Sequence, residues 1–469
     1  MRNARGFDAG QDHSSCHRDA RGVRAGVPHL DGALRRSVRF LRTWFLRAWV
    51  TPCILLGSTA ACSDEPGGPR PLPLPFSDPI PLPGCEGFNY QGCDIHALAC
   101  VEELYEIAAC SRGGQAGPPP PVSFLSEEQA RLDLLARLLR SPPPQPNHFE
   151  IALTELGLTQ PQAFEPESTA TRLAQRWAAF YRRDLGDVVV IEHAPATTPG
   201  SAPAAPYEVR SLDALVFHEL IHALQDRELD LDDFSQRFQT DTDGDLRGLS
   251  VVEGEAQLHE ERLRAALSGV DAASFDWQSA LRERSEAAER SLFAEDDLYS
   301  ASLLRVPYAH GLEYVQGVWS QGGAASVRAL LHAPPGSMRE ILASVWGGPS
   351  EASDGPVPEA GQPTVPGAQL EAWSQLGAWG LYLMLEPRLE RREQARELAL
   401  RWRSDRFEAF SYGESETAAR WSIELADAQA AASLAAALSG TPGVAIRQSA
   451  SRVRLLSGSD AMPPPALAE

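Results

Sequence analysis

The sequence predicts a mainly α fold with a small β-sheet, an α+β domain assembled around one buried helix. Three observations lead there. Apolar residues recur at helical spacing along most of the chain. A short β-branched run, Asp187-Val188-Val189-Val190-Ile191, fits a strand. The stretch from Ser211 to about Arg227 is apolar on most faces, as in a helix enclosed by its neighbours. At 469 residues, 43% hydrophobic and 22% charged, the chain has a globular composition and can bury a sizeable core.

The first 61 residues differ from the rest: ten arginines stand against four aspartates. Arg35, Arg36, Arg39, Arg42 and Arg47 precede an apolar run from Ala48 to Ala61, the layout of a secretory signal too short to span a bilayer. Thr59-Ala60-Ala61-Cys62-Ser63 resembles a bacterial lipoprotein signal, which implies export and a lipid anchor at Cys62 in the cell envelope, with membrane as a partner. A proline-rich tether closes this part, 62–84. The formal net charge of −21 argues against nucleic acid, which needs clustered cations to displace counterions. Cys85, Cys93, Cys100 and Cys110 lie in the segment 85–122; in an exported chain they suggest two disulfides, in any of three connectivities. We assign them a stapling role.

Further along, helical spacing predicts helices over 94–109, 126–140 and 169–183, then the strand at 187–191 and the enclosed helix. Asp241-Thr242-Asp243-Gly244-Asp245 is rich in oxygen ligands but lacks the glycine and glutamate of an EF-hand, so it reads as a solvated acidic loop. Helices are expected at 249–267, 273–294, 312–320, 324–332, 337–346 and 370–385, with a Pro/Gly-rich insertion at 347–366. The main domain is expected over 123–400, and a small α+β segment over 401–469 alternates strand-like runs with an alanine-rich helix.

Chemistry concentrates in His218-Glu219-Leu220-Ile221-His222. Residues four apart share a helix face, so His218 and His222 can offer two imidazoles to one ion while Glu219 projects beside them. Catalytic zinc takes three protein ligands and keeps a fourth position for water, whose proton Glu219 could accept. Two histidines and a glutamate in an apolar helix need partners, since an unpaired buried polar group costs about 2 kcal/mol or more. A hydrogen-bonded core pair is the bland alternative.

The motif with its continuation Ala223-Leu224-Gln225-Asp226, followed by Val252-Glu253-Gly254-Glu255-Ala256, resembles the gluzincin metallopeptidases, and more closely a group of bacterial peptidase-like lipoproteins. Pro307-Tyr308-Ala309-His310-Gly311, Gly322-Gly323 and Pro334-Pro335-Gly336-Ser337 extend the resemblance over roughly 170 to 345, with Ala324 where an aromatic is expected. It implies a zincin-like catalytic domain, Zn2+ as cofactor, Glu253 as the third metal ligand, and a peptide or protein as substrate. It also implies an oxyanion donor downstream, for which Tyr308 is the candidate and His310 the second choice. Glu255 is expected on a solvated helix face. Asp226 could accept the free imidazole N–H of a ligand or simply end the helix. The rival expectation is a catalytically inactive lipoprotein using the scaffold for binding; a third makes the cysteine segment an inhibitory pro-region.

Overall fold

The computed structural model describes residues 85–458 except 86–89, 91, 141–146, 161–164, 194–205, 269, 271–274, 296, 350–353, 361–366 and 413–415, and for 206–211 only the backbone. The leader, the Cys62 anchor and the tether lie outside the described residues.

A three-stranded sheet organises the first half. β1 (Val122–Ser126) runs parallel to β3 (Asp187–Glu192), and β2 (Ala179–Arg182) pairs antiparallel on the other side of β3, in the order β1-β3-β2. Side-chain alternation divides the sheet's two faces. Phe180, Val189 and Ile191 pack under α2 (Glu127–Arg140) and α4 (Pro166–Arg176), through Ala130, Leu134, Leu138, Ala170 and Ala174. Ala179, Tyr181, Val188 and Val190 face Val216, Phe217, Leu220 and Ile221 of α5 (Pro206–Leu229). Because both faces are covered, β3 reads as an unbroken apolar run.

On α5 rests the disulfide-braced segment, with Cys85 bonded to Cys110, Cys93 to Cys100, and α1 (Leu98–Ser111) between them. Val101, Leu104, Ile107 and Ala108 belong to the same apolar cluster as α5. A second long helix, α7 (Thr242–Leu267), packs on α5. Beyond it lie α8 (Trp277–Leu292), α9 (Leu298–Val306), a π-helical turn Pro307–Gly311, and α10 (Leu312–His332), which is broken at Gly322-Gly323 and so matches the two helices expected there.

The second half is an antiparallel sheet ordered β4-β5-β6-β8-β7, formed by β4 (Gln369–Ser374), β5 (Trp402–Tyr412), β6 (Glu416–Leu425), β7 (Val444–Ser449) and β8 (Arg452–Gly458). Its core face, including Phe407, Trp421, Ile423 and Leu455, shares one cluster with α3 (His148–Glu155), α11 (Met338–Trp346), α12 (Gly377–Leu385) and α14 (Ala428–Leu438). Residues on both sides of position 400 therefore build one core. Among the described residues no helix is long and apolar enough to cross a membrane.

Three expectations are corrected. The helix expected over 169–183 ends at Arg176, and Ala179–Arg182 is a strand, because Phe180 and Tyr181 each gain a covered sheet face. In place of a helix over 370–385, Leu370 to Ser374 pair with β5, and the helix starts at Gly377, where Asp405 accepts from the N–H groups of Leu376 and Gly377. The acidic run at 241–245 is no solvated loop. Asp241 caps α7 through the Gly244 N–H at 2.7 Å, and the buried Asp243 accepts from Met338 N–H.

Candidate metal centre

Helix α5 is enclosed from Asp213 through Gln225, so any polar side chain it carries must be satisfied inside the protein. His218, Glu219 and His222 are each no more than 1% exposed. The partner face comes from α7, where Glu253, Gln257 and Glu260 fall on one stripe at spacings of four and three. Two glycines let the helices come this close. A Cβ on Gly254 would lie 2.5 Å from the Gly311 carbonyl oxygen, and one on Gly311 would lie 2.3 Å from that of Ser250. Backbone thus meets backbone between α7 and the π-helical turn, which carries Tyr308 to the site.

The three expected ligands converge. Nε2 of His218 and Nε2 of His222 are 3.0 Å apart, and Oε2 of Glu253 lies 3.5 Å from each. Among the described residues this is the one group of three or more His, Cys, Asp or Glu side chains with metal-binding spacing. Tetrahedral zinc with ligands at about 2.0–2.2 Å would separate them by about 3.4 Å, so the spacing fits.

Hydrogen bonding fixes what the two rings offer. Nδ1 of His218 faces Oε2 of Glu260 at 3.0 Å, an atom that can only accept from a neutral imidazole. Nδ1 of His222 faces Oε1 of Gln225 at 2.6 Å. That amide cannot turn over, because its NH2 donates to Val252 O at 2.9 Å and to Oε2 of Glu255 at 2.8 Å. Both rings therefore carry their proton on Nδ1 when neutral, and both Nε2 lone pairs point at each other and at a carboxylate oxygen. Among the described residues Oε2 of Glu253 has no hydrogen-bond donor. Two lone pairs and a carboxylate oxygen meeting in a buried space require a cation, either a proton or a metal.

The titration behaviour without metal tells the same story. Burial opposes the imidazolium of His218, yet the carboxylates of Glu253 and Glu260 that face its two nitrogens outweigh it and lift the ring to about 10. For Glu253 burial favours the acid, but attraction to His222 and then to His218, each 3.5 Å from its Oε2, holds it at about 2. A proton held this tightly occupies the place a metal would take. Glu219 differs. Burial raises it to about 8, with the carboxylate of Glu253 adding to the rise and His218 opposing it. The backbone N–H of Tyr181 on β2 faces its carboxyl without closing a hydrogen bond of normal geometry.

Tyr308 lies beside the three, its ring nearly parallel to that of His218 with centroids 6.3 Å apart. His310 does not. Its Nε2 contacts Glu289 at 2.7 Å, in a separate cluster with Trp346 and Trp379, because residues two apart on a helical turn face away from each other. Asp226 supports neither ligand and instead accepts from Tyr181 Oη at 2.9 Å and from the Leu231 N–H. Glu255, expected in solvent, is 1% exposed and holds Arg112. Sequence reasoning missed Glu260 and Gln225. The available signals were a carboxylate seven residues after Glu253 on an enclosed helix, and an amide one turn after His222.

Comparison with protein-family models, with curated proteins and with solved structures yields no match, so the chemistry rests on this geometry.

Proposed function

We propose that this chain is a zinc-dependent peptidase of the gluzincin type, its first half a zincin-like domain. What carries the reading is the convergence of two tautomer-fixed Nε2 atoms and the donorless Glu253 oxygen on one point. His218, His222 and Glu253 would hold the ion, three ligands leaving a fourth position open as catalytic zinc sites do. Zinc bound there would supply a Lewis acid that polarises water and a peptide carbonyl. Glu219 is the proton acceptor: its position beside His218 on α5, buried with no hydrogen bond of its own among the described residues, suits a group that takes a proton from water and returns it to the leaving amine. Tyr308, stacked beside His218, is the candidate donor to the developing oxyanion.

Export and anchoring at Cys62 belong to the same proposal. The two disulfides support it, since such bonds persist in oxidising compartments. Incubating the zinc-loaded chain with a mixture of unstructured peptides and identifying products by mass spectrometry tests the activity. We expect cleavage by the wild type and none by Glu219→Gln, which keeps the metal ligands. If the two proteins behave alike, peptide hydrolysis by this site is refuted, and a metal-bearing scaffold that binds without turnover remains.

A further inference from the structure

The disulfide-braced segment ends on Arg112, and that side chain reaches far into the protein. It is 4% exposed, and its guanidinium makes a two-bonded contact with Glu255, Nε to Oε1 at 3.0 Å and Nη2 to Oε2 at 3.2 Å. Its remaining nitrogen, Nη1, meets Glu228 of α5 at 3.2 Å. Position is set by the fold: Arg112 closes α1, its N–H bonding back to Ala108 O, two residues after Cys110 is tied to Cys85. Among the described residues Arg112 is the one arginine paired with Glu255. His259, 4.0 Å from it, is kept neutral, first by burial and then by the charges of Arg112 and Arg262.

Glu255 is also the acceptor that orients Gln225, and Gln225 is the acceptor that orients His222. A chain of three contacts therefore runs from the cysteine segment to a metal ligand, Arg112 to Glu255 to Gln225 to His222. We propose that Arg112, delivered by the disulfide-braced segment, is a positioning residue of the metal centre that keeps the Nε2 lone pair of His222 turned toward the ion. The reason is geometric: the guanidinium fork fixes both carboxylate oxygens of Glu255, and Oε2 is one of the two acceptors that hold the Gln225 NH2. Without the fork the Glu255 carboxylate is a buried charge that has lost its two-bonded partner, so it shifts from its place. Gln225 is then held by Val252 O alone, and the acceptor that sets the His222 ring is no longer fixed.

The inference rests on the metal-centre reading, and its test separates the two. Zinc affinity of the full chain is measured by competition with a chromophoric chelator, and ligand geometry by the visible absorption of the cobalt(II)-substituted protein. Arg112→Met should weaken zinc binding about 10- to 100-fold, the range for groups that orient metal ligands, and should alter the cobalt spectrum. Arg112→Lys, which keeps the charge but loses the fork, should recover part of the affinity. The control is Arg227→Met, which removes another tie to the same segment, a 2.8 Å bond to Tyr105, without touching the relay. It should stay within about twofold of wild type on both readouts. Equal effects of Arg112→Met and Arg227→Met, or none from either, overturn the proposal. Should Arg112→Met fail to fold, Arg112→Lys against Arg227→Met carries the comparison, and equal affinities there overturn it too. A wild type that takes up neither zinc nor cobalt sinks the metal centre itself.

Discussion

Two buried histidine–carboxylate clusters in this molecule look alike in composition and differ in their accounts of protons. Around Glu289, four donors meet one carboxylate: Nε2 of His310 at 2.7 Å, Nε1 of Trp346 at 3.0 Å, Oη of Tyr382 at 2.7 Å and Nη2 of Arg396 at 2.7 Å. Around Glu253, two lone pairs and an oxygen face one another with no donor between them. In the first cluster the carboxylate is satisfied, both oxygens taking donors and Arg396 balancing the charge of Glu289, while Nδ1 of His310 and Nε of Arg396 find no acceptor among the described residues. The second lacks a cation. Counting donors against acceptors at each carboxylate thus distinguishes the two clusters, where burial alone does not.

The largest effect should come from opening the first cluster. Glu289→Leu leaves Arg396 and three other donors without their acceptor, and we expect a loss of about 3–5 kcal/mol in denaturant unfolding. The matching change in the second cluster should go the other way. Glu219→Leu removes a buried carboxyl with no hydrogen bond, and we expect the metal-free protein to gain about 1–2 kcal/mol. Equal destabilisation by both would erase the distinction.

Next in size is Gly311→Ala. Its Cβ would meet the Ser250 backbone at 2.3 Å, so α7 and the π-helical turn must part, at a cost of about 1–3 kcal/mol. Zinc affinity should fall with it, because Glu253 sits one residue before the matching glycine. Thermal unfolding and chelator competition on the same sample read both effects.

Acid sharpens the comparison least but most cleanly. Burial opposes the ionised form of Glu289, but hydrogen bonding and attraction from His310, then the charge of Arg396, hold it at about 2. Its folded value is depressed, so its contribution is full above the ordinary 4.5 and is lost as pH falls toward 2. The stability difference between wild type and Glu289→Gln should shrink across that window.

What the sequence disclosed depended on where partners lie. His218, Glu219 and His222 are fixed to one another by helix geometry, so these were legible. Glu253 was placed through the family resemblance. Glu255 was misplaced because the face a helix turns to a second helix depends on packing, which spacing does not encode; Asp226, open between two readings, lies at the helix end and supports no ligand. The strands Ala179–Arg182 and Gln369–Ser374 were missed for a similar reason: each is short, and its strand character comes from a neighbour far along the chain. The disulfide pairing, open among three choices, follows from α1 bringing Cys93 beside Cys100 and Cys85 beside Cys110.

The most direct measurement is zinc content after dialysis of the purified full chain and of His218→Ala against buffered zinc. We expect one zinc per chain in the wild type and a small fraction of that in His218→Ala, with Glu219→Gln still loaded. Equal zinc in wild type and His218→Ala, or none in either, would contradict the metal centre and leave His218, His222 and Glu253 as a proton-sharing core cluster.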